Sequence, residues 1–169
     1  MNKVIILEPT KCTGCRMCEM ACSLHHEAAC SHTASRIQVV KMDAEGVDMP
    51  IVCQHCTLAP CVEICPTGAM IRDEVNGIVH LVETLCIGCR MCIMACPFGA
   101  ISLNPRNSVH PILKCDLCDG DPQCVAFCEP GALQFVRRDQ IGSERRERLV
   151  GTYLQAIKDS QSDSKEKTK

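Results

Sequence analysis

Sixteen of the seventeen cysteines in this 169-residue chain fall into four short groups with nearly the same internal rhythm. CTGCRMCEMAC carries Cys12, Cys15, Cys18 and Cys22, and CQHCTLAPCVEIC carries Cys53, Cys56, Cys61 and Cys65. CIGCRMCIMAC carries Cys86, Cys89, Cys92 and Cys96, and CDLCDGDPQCVAFC carries Cys115, Cys118, Cys124 and Cys128. Only Cys30 stands outside. This pattern constrains the fold more than any other feature, because the remaining residues cannot build an ordinary core. The chain has three Phe, one Tyr and no Trp, and without its cysteines only about 36% of it is apolar, below the usual ~45–50%.

Cysteine at this density serves disulfides, zinc or iron-sulfur clusters. The start, MNKVIILEPTKC, has one Lys and a short apolar run before Glu8 and Pro9, without a secretory h-region or a twin-arginine pair. A reducing cytoplasm is therefore expected, where disulfides are rare, and an odd cysteine total fits a fully paired framework poorly. A zinc site pairs two C-x2-4-C units a dozen or more residues apart and needs no third and fourth cysteine close behind. A zinc-binding interaction module is thus the alternative from another class. Groups one and three follow C-x2-C-x2-C-x3-C, and groups two and four stretch only the middle gap. Three thiolates of such a loop wrap one 4Fe-4S cubane, while the fourth cysteine points away and ligates the neighbouring cluster of a pair. Four runs then predict four 4Fe-4S clusters. The C-x3-C-x2-C run of a radical S-adenosylmethionine site is absent from all four.

The repeat extends past the cysteines. PTGAMI, PFGAIS and EPGALQ follow groups two to four, and short apolar runs precede each group (VIIL, PIVC, IVHLV, PILKC). The predicted unit is strand, cysteine loop, one helical turn, strand, used four times. The first repeat diverges, with the polar insertion SLHHEAACSHTASRIQVVK before a strand expected at Ile37 to Val40. Between Cys65 and Cys86 the connection is short and holds two strands around Asn76-Gly77, which pairs groups two and three and leaves one with four. On this reading Cys12, Cys15, Cys18 and Cys128 hold one cluster, and Cys115, Cys118, Cys124 and Cys22 its neighbour. Cys53, Cys56, Cys61 and Cys96 hold a third, and Cys86, Cys89, Cys92 and Cys65 the fourth. Sequential pairing, one with two and three with four, stays open on the gaps alone.

The fold class expected is α+β: two nested bacterial-ferredoxin-like modules plus a C-terminal amphipathic helix. Residues 1–47 and 101–138 form the outer module and 48–100 the inserted one. The helix spans 139–158, with Leu149, Val150, Tyr153, Leu154 and Ile157 opposite Glu144, Arg145, Arg146, Glu147 and Arg148. It either packs on the chain's own core or docks another subunit. Residues 159–169 are polar and aperiodic, a disordered tail.

KCDLCDGDPQCVAFC and CIGCRMCIMACPFGAI resemble the last two blocks of the four-cluster ferredoxin-like electron-transfer subunits of molybdenum and tungsten enzymes. CTGCRMCEMACSLHHE is most similar to the small iron-sulfur subunits that accompany tungsten-dependent aldehyde oxidoreductases. The resemblance covers residues 8 to about 136 and implies the nested pairing. It departs at Glu129, which follows Cys128 where Pro is usual, and at Cys30.

Several residues near the cysteines carry weaker signals. His55 lies inside a ligand loop whose four cysteines are all present, and is expected to be a polar neighbour rather than a ligand. His25, His26 and Glu27 follow Cys22 and are expected in a solvated loop, with partner-facing cluster tuning as the sharper alternative. Gly14, Gly88 and Gly120 suit close backbone approach to a cluster. Lys11 and Lys114 precede first cysteines and are expected to be solvated. Cys30 is expected to be an unpaired structural thiol.

No dinucleotide fingerprint, phosphate loop, triad or HExxH run appears, so a conductor rather than a catalyst is expected. The partners implied by the resemblance are a catalytic tungsten or molybdenum subunit, most of all an aldehyde oxidoreductase, and a flavin subunit or soluble carrier as acceptor. The alternatives are a subunit of carbon monoxide dehydrogenase, formate dehydrogenase or hydrogenase, or a stand-alone polyferredoxin. End-to-end self-association is a further expectation. The net charge of −2 suggests no nucleic-acid partner, and no run of apolar residues is long enough for a membrane span. Four loaded cubanes at about −2 each would make the chain strongly acidic and steer it to basic patches.

Overall fold

The computed structural model describes residues 3–109, 111–143, 146–147, 150–151 and 153–154. Its elements follow one unit four times: β1 (Lys3–Leu7), α1 (Met17–Glu27), β2 (Gln38–Met42); β3 (Val47–Ile51), α2 (Pro60–Glu63), β4 (Met70–Arg72); β5 (Val79–Leu81), α3 (Met91–Ala95), β6 (Ile101–Leu103); β7 (Ile112–Lys114), α4 (Gln123–Ala126), β8 (Leu133–Arg137). Consecutive units are joined by antiparallel pairs, β2 with β3, β4 with β5 and β6 with β7, while β1 with β8 joins first to last. Gln38 lies opposite Ile51, Met70 opposite Leu81 and Ile101 opposite Lys114. Two-stranded ribbons are marginal alone in water. What lies between them must hold them.

Helix packing follows the same order: α1 lies against α4, and α2 against α3. One apolar cluster gathers Ile5, Ile37, Val39, Val52, Leu117 and Leu133 around Cys18, Cys22, Cys53, Cys115 and Cys124. A second gathers Ala59, Met70, Val79, Ile101 and Ile112 around Cys61 and Cys92. Thiols sit inside both cores, where large side chains would otherwise be.

Helix length is set just after each last cysteine. Pro66 and Pro97 follow Cys65 and Cys96, and a proline restricts the residue before it and donates no N–H, so α2 and α3 stop short. Ser23 follows Cys22 instead, and α1 runs on for eleven residues to Glu27. The expectation of a single helical turn and a solvated loop for His25 and His26 is therefore corrected: both lie in the last turn of α1. Buried Glu19 anchors the insertion that follows. Its Oε1 accepts the Val39 N–H at 2.5 Å and its Oε2 meets His32 Nδ1 at 2.5 Å, while Ser23 Oγ accepts the Ser31 N–H at 2.9 Å.

Residues up to Phe135 form one compact unit, and those from Val136 a second. Within the latter, the described residues from 141 to 154 have helical backbone, and Val150, Tyr153 and Leu154 are exposed. Leu149, Ile157, Glu144, Arg145 and Arg148 of the expected faces lie outside the described residues, as does 159–169.

The first cysteine loop turns at Gly14, whose φ is +62° and whose added Cβ would lie 2.3 Å from Asp48 Oδ2 and 2.5 Å from its Cγ. Gly46 has φ +63° with open space around it. A left-handed backbone costs a non-glycine residue about 1–2 kcal/mol. Gly14→Ala is expected to lower the unfolding midpoint of the loaded protein by several degrees, more than Gly46→Ala. Equal losses would mean that Asp48 moves aside freely.

Candidate metal centres

The sixteen grouped cysteines line four small cavities. Cys12, Cys15, Cys18 and Cys128 line one; Cys22, Cys115, Cys118 and Cys124 line a second. Cys53, Cys56, Cys61 and Cys96 line a third; Cys65, Cys86, Cys89 and Cys92 line a fourth. In each, three thiols come from one cysteine run and one from another. The reason is local: the loop curls three thiols toward one side, and the helix that follows carries the last cysteine to the neighbouring cavity. Cys30 is exposed and lines none of the four.

The spacing of the thiols distinguishes one ion from a cluster. Four sulfurs on a zinc ion at about 2.3 Å would lie about 3.8 Å from one another. Among the described residues only His25, His26 and Cys118 bring their ligand atoms all within 4.8 Å of one another, so no quartet converges on a single ion. A 4Fe-4S core separates its four thiolates more widely than a single ion does, and all seventeen cysteines are free thiols. The donor set therefore fits 4Fe-4S clusters.

Backbone N–H groups already aim at the sulfurs. His55 N–H donates to Cys53 Sγ at 3.3 Å, and Arg36 N–H to Cys22 Sγ at 3.3 Å. Burial pushes the Cys18 thiol up to about 12, Cys115 up to about 12 and Cys92 up to about 11; Cys22, Cys61, Cys118 and Cys124 are raised by burial as well. At Cys65 a burial penalty is outweighed by N–H donation from Met70 and contact with Thr67, and its thiol is lowered. Most of these groups stay protonated at neutral pH until a cation displaces the proton.

The two cores show which quartets adjoin. Cys18 of the first, Cys22, Cys115 and Cys124 of the second and Cys53 of the third share one apolar cluster, while Cys61 of the third and Cys92 of the fourth share the other. The third quartet thus links the first two to the fourth. Cys15 and Cys89, in the first and fourth, are exposed.

Polar side chains at the second and third quartets were only partly expected. His55 is 1% exposed and its Nδ1 accepts the Val79 N–H at 3.0 Å. Arg72 Nη1 donates to the carbonyls of His55 and Cys56. His25 is exposed, but His26 turns inward. Arg36 Nη1 lies 2.5 Å from His26 Nδ1 and donates to Asp116 Oδ2 at 2.9 Å. A guanidinium only donates, so Nδ1 accepts and the ring proton sits on Nε2, 3.6 Å from Cys118 Sγ. Burial and the Arg36 charge lower His26 from its ordinary value, which keeps the ring neutral near pH 7. Sequence reading missed Arg36 and Asp116, which carry no motif and lie 80 residues apart. Lys114, expected in solvent, is 4% exposed: it begins deep in the chain's core because β7 buries all three of its residues.

A sequence-family profile described as 4Fe-4S dicluster domain matches residues 44–138, and one described as 4Fe-4S binding domain matches residues 9–24. The electron transport protein HydN of Escherichia coli K12 is 37% identical, the alignment covering 89% of this chain and 98% of HydN. The polyferredoxin-like subunit of aliphatic sulfonate oxidoreductase from Pyrococcus furiosus is 36% identical, covering 97% of this chain and 87% of that subunit. The thiosulfate reductase electron transfer subunit PhsB of Salmonella typhi is 38% identical, covering 85% of this chain and 81% of PhsB. Among the described residues no helix is long and apolar enough to cross a membrane.

Proposed function

Because the chain belongs to the 4Fe-4S dicluster domain family and is a non-catalytic electron-transfer protein, we propose that it serves as the four-cluster wire of an oxidoreductase complex. Cys12, Cys15, Cys18 and Cys128 hold the first cluster, and Cys22, Cys115, Cys118 and Cys124 the second. Cys53, Cys56, Cys61 and Cys96 hold the third, and Cys65, Cys86, Cys89 and Cys92 the fourth. The observation that carries this reading is the gathering of sixteen thiols into four cavities. Residues 1–47 with 101–138 act as the outer module and 48–100 as the inserted one. When bound, each 4Fe-4S cluster supplies a one-electron centre, with potentials near ~ −400 mV in ferredoxins and tuned by hydrogen bonds and charge.

The chain's own residues do the rest. Each loop fixes three thiolates and the next helix the fourth, N–H groups stabilise anionic sulfur, and the apolar rim keeps water from the inner quartets. Exposed Cys15 and Cys89 bring the two ends of the series to the surface. A catalytic oxidoreductase subunit docks at one end; the relatives named as subunits of thiosulfate reductase and aliphatic sulfonate oxidoreductase support such a partner. The similarity of CTGCRMCEMACSLHHE to tungsten-enzyme subunits favours an aldehyde oxidoreductase of the tungsten or molybdenum type. A flavin subunit or soluble carrier accepts at the other end, and exposed Val150, Tyr153 and Leu154 belong to a docking element. A reducing cytoplasm suits seventeen free thiols.

Anaerobic purification of the tagged chain from its native host tests this reading. A catalytic oxidoreductase should accompany it, and that enzyme's substrate should reduce the bound clusters. A fully loaded chain that purifies alone and is not reduced by any copurified enzyme would contradict it.

A further inference from the structure

Lys114 is a buried ammonium at the junction between the second and third quartets. Its Nζ donates to Val79 O at 2.7 Å and to Cys115 O at 2.7 Å. Val79 is on β5, while Cys115 opens the fourth cysteine run, so one side chain ties two separate units together. Two carbonyls satisfy two of its three donors. None of the ion pairs among the described residues involves it. An unpaired charge withdrawn from water is costly, and a native core keeps one opposite a compensating charge. Its two acceptors define where that charge sits: Cys115 lines the cavity of the second quartet and Val79 that of the third. Asp73, Glu83, Asp116 and Asp119 line a separate open cavity with it, and on the inner side each loaded quartet is anionic.

We propose that Lys114 is the counter-ion shared by the second and third clusters, and that its charge raises the reduction potentials of both inner centres relative to the outer ones. This rests on the reading that those quartets hold 4Fe-4S clusters. A cation between two anionic centres favours the added electron on either side, so the junction between the modules does not become the barrier in the series. Hydrogen bonding alone would not do this, since both acceptors are backbone carbonyls rather than sulfurs.

The test uses the loaded full-length protein, titrated potentiometrically and followed by EPR. Lys114→Gln keeps an N–H donor for the carbonyls but removes the charge. Two of the four centres should become at least tenfold harder to reduce, about 59 mV for one electron, with the other two unmoved. Lys114→Arg, which keeps the charge, should stay near wild type. Four unmoved potentials in Lys114→Gln, or four that fall together, overturn the proposal. If Lys114→Gln does not load, Lys114→Arg decides: full loading supports the charge requirement, and equal failure assigns the residue to packing and overturns the proposal. Iron and sulfide analysis of the wild type is run alongside. A wild type without four clusters fails the wire reading itself, and is thereby distinguished from failure of the Lys114 proposal alone.

Discussion

Stripping iron and sulfide from the protein is expected to unfold residues 3–135 rather than leave an empty scaffold. Among the described residues, seven of the twenty-four buried apolar side chains are cysteines, five are alanines, and none is aromatic. The four sheets have only two strands each, too few to stand alone. In the metal-free chain, thiols such as Cys18 and Cys115 would sit in the core as neutral groups with nothing to bind. Ligation energy in such small metal domains is folding energy. Chelation under anaerobic, reducing conditions should therefore abolish amide protection across all four units, and addition of iron, sulfide and thiol should restore it. A chelated chain that kept a cooperative unfolding transition and slow hydrogen exchange would show that side-chain packing suffices.

Single ligand replacements should reveal crossed wiring. Cys22 lies in the first cysteine run but lines the cavity of Cys115, Cys118 and Cys124. Cys22→Ala and Cys118→Ala are expected to lose the same centre, about four irons each, and the double variant Cys22→Ala/Cys118→Ala no more than either. Cys22→Ala with Cys15→Ala should lose two centres, although both residues belong to one run. Double-variant logic makes the comparison sharp, since effects within one site are non-additive and effects at separate sites add. Loss of eight irons from Cys22→Ala/Cys118→Ala, with four from Cys22→Ala/Cys15→Ala, would contradict the crossed arrangement.

Which three thiols of a run turn to one side is legible in the sequence, because loop geometry acts over three or four residues; which cavity the fourth thiol enters depends on how the runs pair, and the gaps alone leave sequential pairing open. The strand–loop–helix–strand repeat is legible as well: Pro66 and Pro97 punctuate it. The length of α1 is not, since it depends on the absence of a stop signal after Cys22 and on Glu19, whose partners Val39 and His32 lie beyond the insertion. The polar surroundings of the inner quartets are less legible still. Arg36 meets Asp116 across 80 residues and Lys114 meets Val79 across 35, and a lysine before a cysteine carries no local mark of burial. The first of these exists only once the first and last units meet, and the second only once the third and fourth do.

Iron and acid-labile sulfide, measured per chain on protein purified without oxygen and scored with the EPR spectrum after dithionite reduction, test the central claim most directly. The account predicts about sixteen irons and sixteen sulfides, with spectra of interacting one-electron centres. A colourless protein with zinc and no sulfide, or a chain that saturates at eight irons with its thiols otherwise free, would contradict it.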